Sequence, residues 1–375
     1  MPSPRRPHNF SAGPGALPDE VLAETQEAIG AVPGVGLSIL GISHRSAWFR
    51  RVVEEAEEHF RALLGLPADY HVLFLQGGST LQFSQIAMTF LRGSRQAADY
   101  LDTGYWSAKS IPEAQREGPV RVAWSGRGHG YRRLPAEAEL TLSPDAPYLH
   151  YISNETVEGL QFHRVLGHDS VLRVCDMSSD FLSRPVDATR FGLIYAHAQK
   201  NLGPSGVTVV VIRDDLVRRT PDGLPSMLDY RCHAKAHSIY NTPPVFAIYV
   251  TMLVACWVRR TVGGLAAMDA INQAKAERLY GALDDSGGFY RGSAAIPDRS
   301  LMNVSFNLPT PALEAAFVRE AEAAGLYGLE GHRSRGGLRA SLYNAVTLEA
   351  VGALTAFMED FRARHAATAS SMAAV

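Results

Sequence analysis

The sequence predicts an α/β protein in two units: a large one with a mixed, mostly parallel sheet flanked by helices, and a smaller C-terminal α/β unit. Three observations carry this. Between Asp19 and Gly264, apolar strand-like runs alternate with segments of helical period, as strand–helix–strand units do. Near Gly264 the texture shifts to shorter alternating elements, and 375 residues is too long for one small core. We assign 16–264 to the large unit, and 265–375 together with the segment 1–15 to the small one.

Composition narrows the function classes. Hydrophobic residues make up 46% and charged residues 20%, which describes a globular chain rather than a disordered one. A formal charge of −2, with no long Lys/Arg block, gives no electrostatic case for nucleic acid. Cys175, Cys232 and Cys256 are widely spaced and odd in number, so they suggest neither a disulfide framework nor a zinc site. Met1–His8 has no apolar run behind Arg5-Arg6 and reads as a short disordered lead. The longest apolar run, Val245 to Val258, falls short of the ~20 residues of a membrane span and reads as a core helix. A cytoplasmic location with no membrane partner is expected.

In order, Asp19–Ile29 predicts a first helix, with Pro18 and acidic residues at its start. After an irregular Gly-rich stretch holding His44 and Arg45, a second helix places Phe49, Val52, Val53, Ala56, Phe60 and Leu63 on one face. Tyr70–Gln76 predicts a strand, followed by Gly77-Gly78-Ser79-Thr80 and a helix. That sequence of turn, hydroxyls and helix start suits an anion, although Gly-Gly turns before helices are common. It is neither a Walker loop nor a dinucleotide fingerprint. Ala98–Asp102 predicts a strand, Thr103–Trp106 a turn and Ser107–Arg116 a helix. Val120–Trp124 and Tyr148–Ile152 follow as strands, the second ending in Asn154-Glu155-Thr156, where open α/β sheets keep their ligands. Val171–Cys175 ends in Asp176-Met177-Ser178-Ser179. An acid there is either a helix cap or a carboxylate placed against a cofactor cation.

Phe191–Ala196 and Val207–Ile212 predict two buried strands around a loop holding Gln199 and Lys200, with Gly203, Pro204 and Gly206 beyond. A lysine between buried strands is poorly solvated, which lowers its pKa toward nucleophilic use. Such lysines form Schiff bases with carbonyl compounds, pyridoxal phosphate above all. Taken alone, the stretch equally describes a lysine at a hairpin bend. The polar stretch 214–244 holds His233 and His237, four apart without a third ligand, so no metal is expected. Past Gly264 come helix 265–283, strand Asn303–Leu308, helix 311–324, strand Leu338–Tyr343 and helix 347–363, with Ala366–Val375 read as a frayed tail. Between the last helix–strand pair, Gly331–Gly337 carries His332 and Arg333, and Arg339 lies just beyond. Several guanidiniums near glycine turns suit a doubly anionic substrate; a solvated basic loop reads the same way.

A phosphate loop, an aromatic residue, then Thr, Asp and Lys at successive strand ends is the layout of fold-type I pyridoxal-phosphate enzymes. The chain resembles the class V aminotransferases, and within them the phosphoserine aminotransferase family. The resemblance runs from Asn9-Phe10-Ser11-Ala12-Gly13-Pro14 through Ser43-His44-Arg45, Gly104-Tyr105-Trp106, Asn154-Glu155-Thr156, Asp176-Met177-Ser178-Ser179, Ala198-Gln199-Lys200-Asn201 and Asn241-Thr242-Pro243-Pro244, to Gly331-His332-Arg333 and Leu338-Arg339-Ala340-Ser341. It implies Lys200 as the covalent and proton-transferring residue and Asp176 as partner of the ring nitrogen. Trp106 would stack on the ring and Thr156 would bond its hydroxyl, while Gly78, Ser79, Thr80, Ser178 and Gln199 would bind the cofactor, most of them at its phosphate.

The same resemblance implies a homodimer with shared active sites. Asn241 and Thr242 would reach the other subunit's cofactor phosphate. His44 and Arg45 would cross over to join His332 and Arg333 at the substrate's distal anion, and Arg339 would hold its α-carboxylate. The implied reaction moves an amino group between glutamate and 3-phosphohydroxypyruvate, giving phosphoserine and 2-oxoglutarate. An alternative is the same chemistry on 3-hydroxy-4-phosphohydroxy-α-ketobutyrate, on the way to vitamin B6. One departure stands out: some members carry Gly-Arg where this chain has Ser79-Thr80. Cysteine desulfurases of the same class need a mobile cysteine near the substrate arginine, and Gly325–Asn344 has none.

Overall fold

The computed structural model describes residues 7–168 and 170–372. Its main sheet has seven strands: β1 (Tyr70–Leu75), β2 (Ala98–Asp102), β3 (Val120–Ser125), β4 (Leu149–Ile152), β5 (Arg173–Asp176), β6 (Leu193–His197) and β7 (Thr208–Arg213). They lie in the order β1-β7-β6-β5-β4-β2-β3. β7 is antiparallel to both β1 and β6, and the remaining pairs are parallel, so every strand but β7 points the same way. The mixed, mostly parallel α/β sheet expected from the sequence is therefore present. All its strands but the half-exposed edge strand β3 are buried on both faces, as parallel sheets require, and apolar cores lie on either side.

On one side, helix Ala47–Leu64 turns Phe49, Val52, Val53, Ala56 and Phe60 inward and packs on helix Val245–Arg260. The first starts where the Ser46 hydroxyl accepts the Phe49 N–H at 3.1 Å, and it ends at Gly65 with φ 62°. Val245–Arg260 is buried along most of its length. Among the described residues, no single helix is long and apolar enough to cross a membrane.

A third apolar core joins Phe10 to residues 279–361. It covers an antiparallel sheet of Arg291–Gly292, Asn303–Asn307 and Leu338–Ser341 with helices Leu265–Asp284, Pro311–Ala323 and Leu348–Met372. Two polar rivets tie this unit to the main sheet. Asn154 donates to Asn303 Oδ1 at 2.7 Å and accepts from the Ser300 hydroxyl. Asn201, next to Lys200, accepts the Asn344 N–H at 2.8 Å, and Asn344 is in turn bonded by Asn272.

Several boundaries differ from the sequence reading. The helix expected to begin at Ser107 begins at Tyr105, because a distant carboxylate caps it. The polar stretch 214–244 contains two short helices, Asp214–Arg218 and Tyr230–Lys235, the second capped by Asp229. The last helix continues through the alanine-rich segment read as frayed, to Met372. Of the expected disordered lead, residues 1–6 lie outside the described residues; His8 and Asn9 pair in parallel with Leu326 and Tyr327.

Candidate active site

Because six strands share a direction, their carboxyl ends share an edge, and the chemistry-bearing residues follow those ends. Ser79 and Thr80 follow β1, Trp106 follows β2, Thr156 follows β4, Asp176 ends β5, and Gln199 and Lys200 follow β6. They line one cleft of about 400 Å³ with Ser178 and with four residues to which the sequence reading gives no role of their own: Ile152, Asn154, Ser179 and His197. Gly78 opens the helix at its edge.

Lys200 lies in the β6–β7 connection, beyond the antiparallel pair His197–Thr208. Its Nζ donates to Thr156 Oγ1 at 2.7 Å and Ser179 Oγ at 3.0 Å, and those hydroxyls are 2.6 Å apart. The same Nζ is 5.4 Å from the Trp106 ring centroid. Burial lowers the amine to about 8; Asp176 pulls it back up and Arg339 pushes it further down. Backbone crowds the lysine from behind. A Cβ on Gly15 would come within 2.6 Å of both the Lys200 carbonyl and the Tyr343 ring, so only glycine lets the N-terminal segment pass.

Asp176 is buried, which raises its carboxyl, while Lys200 and Ser178 oppose the rise. Its Oδ1 accepts the Ser178 N–H at 2.8 Å in a turn, so the acid does not cap a helix as one reading of the sequence had it. The Ser178 hydroxyl meets Ser79 Oγ at 2.7 Å and accepts the His197 N–H at 3.1 Å. Gly77 and Gly78 carry φ of 91° and 70°, and a Cβ on Gly78 would sit 3.0 Å from the His197 ring. That bare turn leaves the first amides of helix Gly78–Phe90 free to point at an anion. His197 is held near 4 by burial and by Lys200, and is neutral at physiological pH.

The residues fit pyridoxal 5′-phosphate. A helix N-terminus with Ser79 and Ser178 would take its phosphate, Asp176 its ring nitrogen, Trp106 its face and Lys200 its carbonyl carbon. The Gln199 carboxamide oxygen is buried without a hydrogen-bond partner, as a side chain held for an absent ligand would be.

The substrate residues divide. Arg339, partly buried, donates to the Thr156 carbonyl at 3.3 Å, and its Nε is buried without a partner. His332 packs its ring 4.6 Å from that of Tyr105, next to Trp106, while Arg333 is exposed on the same loop. His44, Arg45, Asn241 and Thr242 lie outside the cleft. Arg45 is exposed and His44 half-buried. Asn241 and Thr242 sit beside the end of β1, where Gln76 Nε2 reaches Asn241 Oδ1 at 3.2 Å and the Thr242 carbonyl at 3.5 Å. Away from the cleft, His233 bonds the Met227 carbonyl, and no cluster of three metal-ligating side chains occurs among the described residues.

Residues 8–354 match the family described as Aminotransferase class-V. The phosphoserine aminotransferase of Herpetosiphon aurantiacus is 49% identical over 357 residues, covering 95% of this chain and 99% of the relative. That of Azotobacter vinelandii is 50% identical over 361 residues, covering 96% and 99%. Among solved structures, phosphoserine aminotransferase from Bacillus circulans subsp. alkalophilus superposes with a TM-score of 0.93 at 49% identity, covering 96% of this chain and 99% of that one. The pyridoxal-phosphate-bound enzyme of Trichomonas vaginalis gives 0.88 at 38% identity, covering 94% and 100%. With the fold, the strand-end cleft and the match along nearly its whole length in agreement, this chain belongs to the class-V aminotransferases, in their phosphoserine aminotransferase family.

Proposed function

We propose that the protein catalyses reversible amino transfer between L-glutamate and 3-phosphohydroxypyruvate, giving O-phospho-L-serine and 2-oxoglutarate, with pyridoxal 5′-phosphate as cofactor. The observation that carries this is the Lys200 amine, lowered to about 8 and held between two hydroxyls and a tryptophan face. When bound, the cofactor supplies the electron sink that lets a proton leave the substrate's α-carbon. Lys200, once its amine is free, takes that proton and returns it on the cofactor's side; an amine near 8 has a usable neutral fraction at physiological pH. Asp176, ionised opposite a ring cation, keeps that cation protonated. Arg339 grips the α-carboxylate and orients the α-carbon toward Lys200. Trp106 covers one ring face and excludes water from it.

The distal phosphate or carboxylate falls to His332 and Arg333. His44 and Arg45 lie outside this cleft, and we assign them, with Asn241 and Thr242, to the cleft of a second copy in a homodimer. The third core, Phe10 with residues 279–361, supports a separate small unit that takes in the N-terminal segment, which we divide from the large unit at residues 264 and 265 and join to 1–15. Three free cysteines, Cys175 buried and the others half-buried, suit a reducing cytoplasm. A visible titration tests the reaction. L-Phosphoserine should convert the lysine-bound cofactor band to the pyridoxamine form, and L-serine at the same concentration should not. An unchanged band with phosphoserine overturns the substrate; a full response to serine overturns the role of the distal anion.

A further inference from the structure

The loop 331–337 is pinched at its neck and docked at its tip. Gly331 N–H donates to the Gly337 carbonyl at 3.0 Å, and a Cβ on Gly331 would strike the Gly336 carbonyl oxygen at 2.1 Å. Between them, His332 and Arg335 close a turn, Arg335 N–H to His332 carbonyl at 2.8 Å. Gly336 and Gly337 have φ of 68° and 70°, a backbone only glycine adopts freely, which lets the chain close the neck on that side.

Its tip touches the helix that carries Trp106 at one point and reaches the acid that caps that helix at another. One is the His332 ring against Tyr105. The other is Arg335, which donates to the Gly130 carbonyl at 2.6 Å and approaches Glu158 Oε1 at 3.5 Å. Glu158 is 2% exposed at its side chain, whereas Arg335 is 35% exposed. The same Oε1 accepts the Tyr105 N–H at 3.2 Å, and neighbouring Glu155 accepts from Trp106 N–H at 3.2 Å and Ser107 N–H at 3.1 Å. Both carboxyl groups crowd Gly104, where a Cβ would lie 2.5 Å from Glu158 Oε2 and 2.7 Å from Glu155 Cδ. One buried acidic pair thus fixes the start of the tryptophan helix and offers a single oxygen to the loop.

We propose that Glu158 and Arg335 are positioning residues that latch the 331–337 loop to the Trp106 helix, setting His332 and Arg333 in register with the ring that Trp106 covers. The proposal rests on reading that loop as the holder of the substrate's distal anion. Neither residue touches the reacting atoms; each acts through another. Burial and Glu155 raise the Glu158 carboxyl to about 8 and Arg335 opposes the rise, so the acid is largely protonated at neutral pH and the arginine is the cation that favours its ionised form. Its Oε2 is buried without a partner, which leaves Oε1 and Arg335 as its polar outlet.

The test uses the holoenzyme and the variants Arg335→Gln, Arg335→Lys, Glu158→Gln and the double Arg335→Gln/Glu158→Gln. Arg335→Gln should raise KM for phosphoserine by about 5- to 10-fold, the size of one net hydrogen bond lost from the loop tip, while kcat changes less than about 2-fold. The preference for phosphoserine over L-alanine, which has no distal anion, should fall by the same factor. Arg335→Lys should recover most of the loss. The double variant should lose no more than the worse single one, because both remove one contact. Equal effects on phosphoserine and alanine, or additive losses, overturn the latch. Trypsin cleavage after Arg333 supplies a readout free of substrate: it should quicken in both single Gln variants, and an unchanged rate overturns the latch. Should the parent protein fail to use phosphoserine at all, the substrate reading falls and the cleavage rates alone decide the latch.

Discussion

The chain has four lysines, Lys109, Lys200, Lys235 and Lys275, so the amine on which the chemistry depends can be titrated directly. Apoenzyme grown with lysine labelled by ¹³C at Cε gives four resonances, each assigned by a Lys→Arg variant and followed from pH 5 upward. Lys200 should titrate near 8 rather than at the ordinary 10.5. A pKa unit corresponds to about 1.4 kcal/mol between the charged and neutral amine. Lys275 is an internal comparison. It is buried between the carbonyls of Leu342 and Tyr343, with no carboxylate among the causes of its shift, and burial takes it to about 7.

The contrast isolates Asp176. In Lys200, burial is the largest effect and Asp176 the largest opposing one. Asp176→Asn keeps the shape and removes the charge, so the Lys200 midpoint should fall by about 1 unit or more, while Lys275 stays in place. The direction is the decisive part: a neighbouring anion favours the ammonium, and losing it must lower the pKa. A Lys200 midpoint near 10.5 in the parent protein would refute the claim that the cleft desolvates its amine. A midpoint that rises in Asp176→Asn would refute the claimed pairing of the two groups.

Other outcomes follow from the same geometry. Lys200→Ala should abolish transamination yet still bind the cofactor noncovalently, seen as a band that dialysis removes; near-normal turnover would sink the mechanism. Arg339→Ala should weaken all amino-acid substrates by the α-carboxylate they share. Arg45→Ala and Arg333→Ala should each spare alanine and cost phosphoserine on the order of 2–5 kcal/mol, read from kcat/KM with both substrates. Glu158 binds its proton more tightly folded, near 8, than unfolded, near 4.5. Folding therefore takes up a proton between those values, and the group's contribution to stability declines as pH rises from 4.5 through 8. Urea midpoints at pH 5.5 and 8.5 should show Glu158→Gln gaining on the parent protein at the higher pH; a constant difference would contradict the raised pKa.

Much of the fold was legible because its signals are local. Apolar runs bounded by glycine or polar clusters mark the strands within two residues, and the residues at their ends are chemically unusual. The failures are those a window along the chain must make. Nothing near Tyr105 announces a helix, because the acid that satisfies its first amides is Glu155, some fifty positions on. Ser179 and Asn154 receive no role of their own in the sequence reading because their value comes from what they face: Lys200 and the Asn303 rivet. His197 falls just past the strand Phe191–Ala196 read from the sequence; it ends β6 instead, and the Gly78 turn packs against its ring at the cleft. The extension to Met372 had a readable cause, since alanine is the strongest helix former, but small residues at a terminus read equally as fraying.

The polar groups of the cleft also explain why this arrangement calls for a ligand. Desolvation acts on the ionisable groups lining the cleft always against the charged form: it lifts Asp176 and lowers Lys200 and His197, and it lowers Arg339 as well. Ion pairs answer only part of this, because Asp176 and Lys200 offset one another incompletely. Gln199 Oε1 and Arg339 Nε are buried without partners as well. A cluster so arranged is less stable than an apolar filling of the same volume would be. On the function proposed above, the compensation comes from a ligand bearing an anion at the helix start, a cation at Asp176 and a carboxylate at Arg339. Binding at the strand ends then returns to the fold the stability that the bare site withholds.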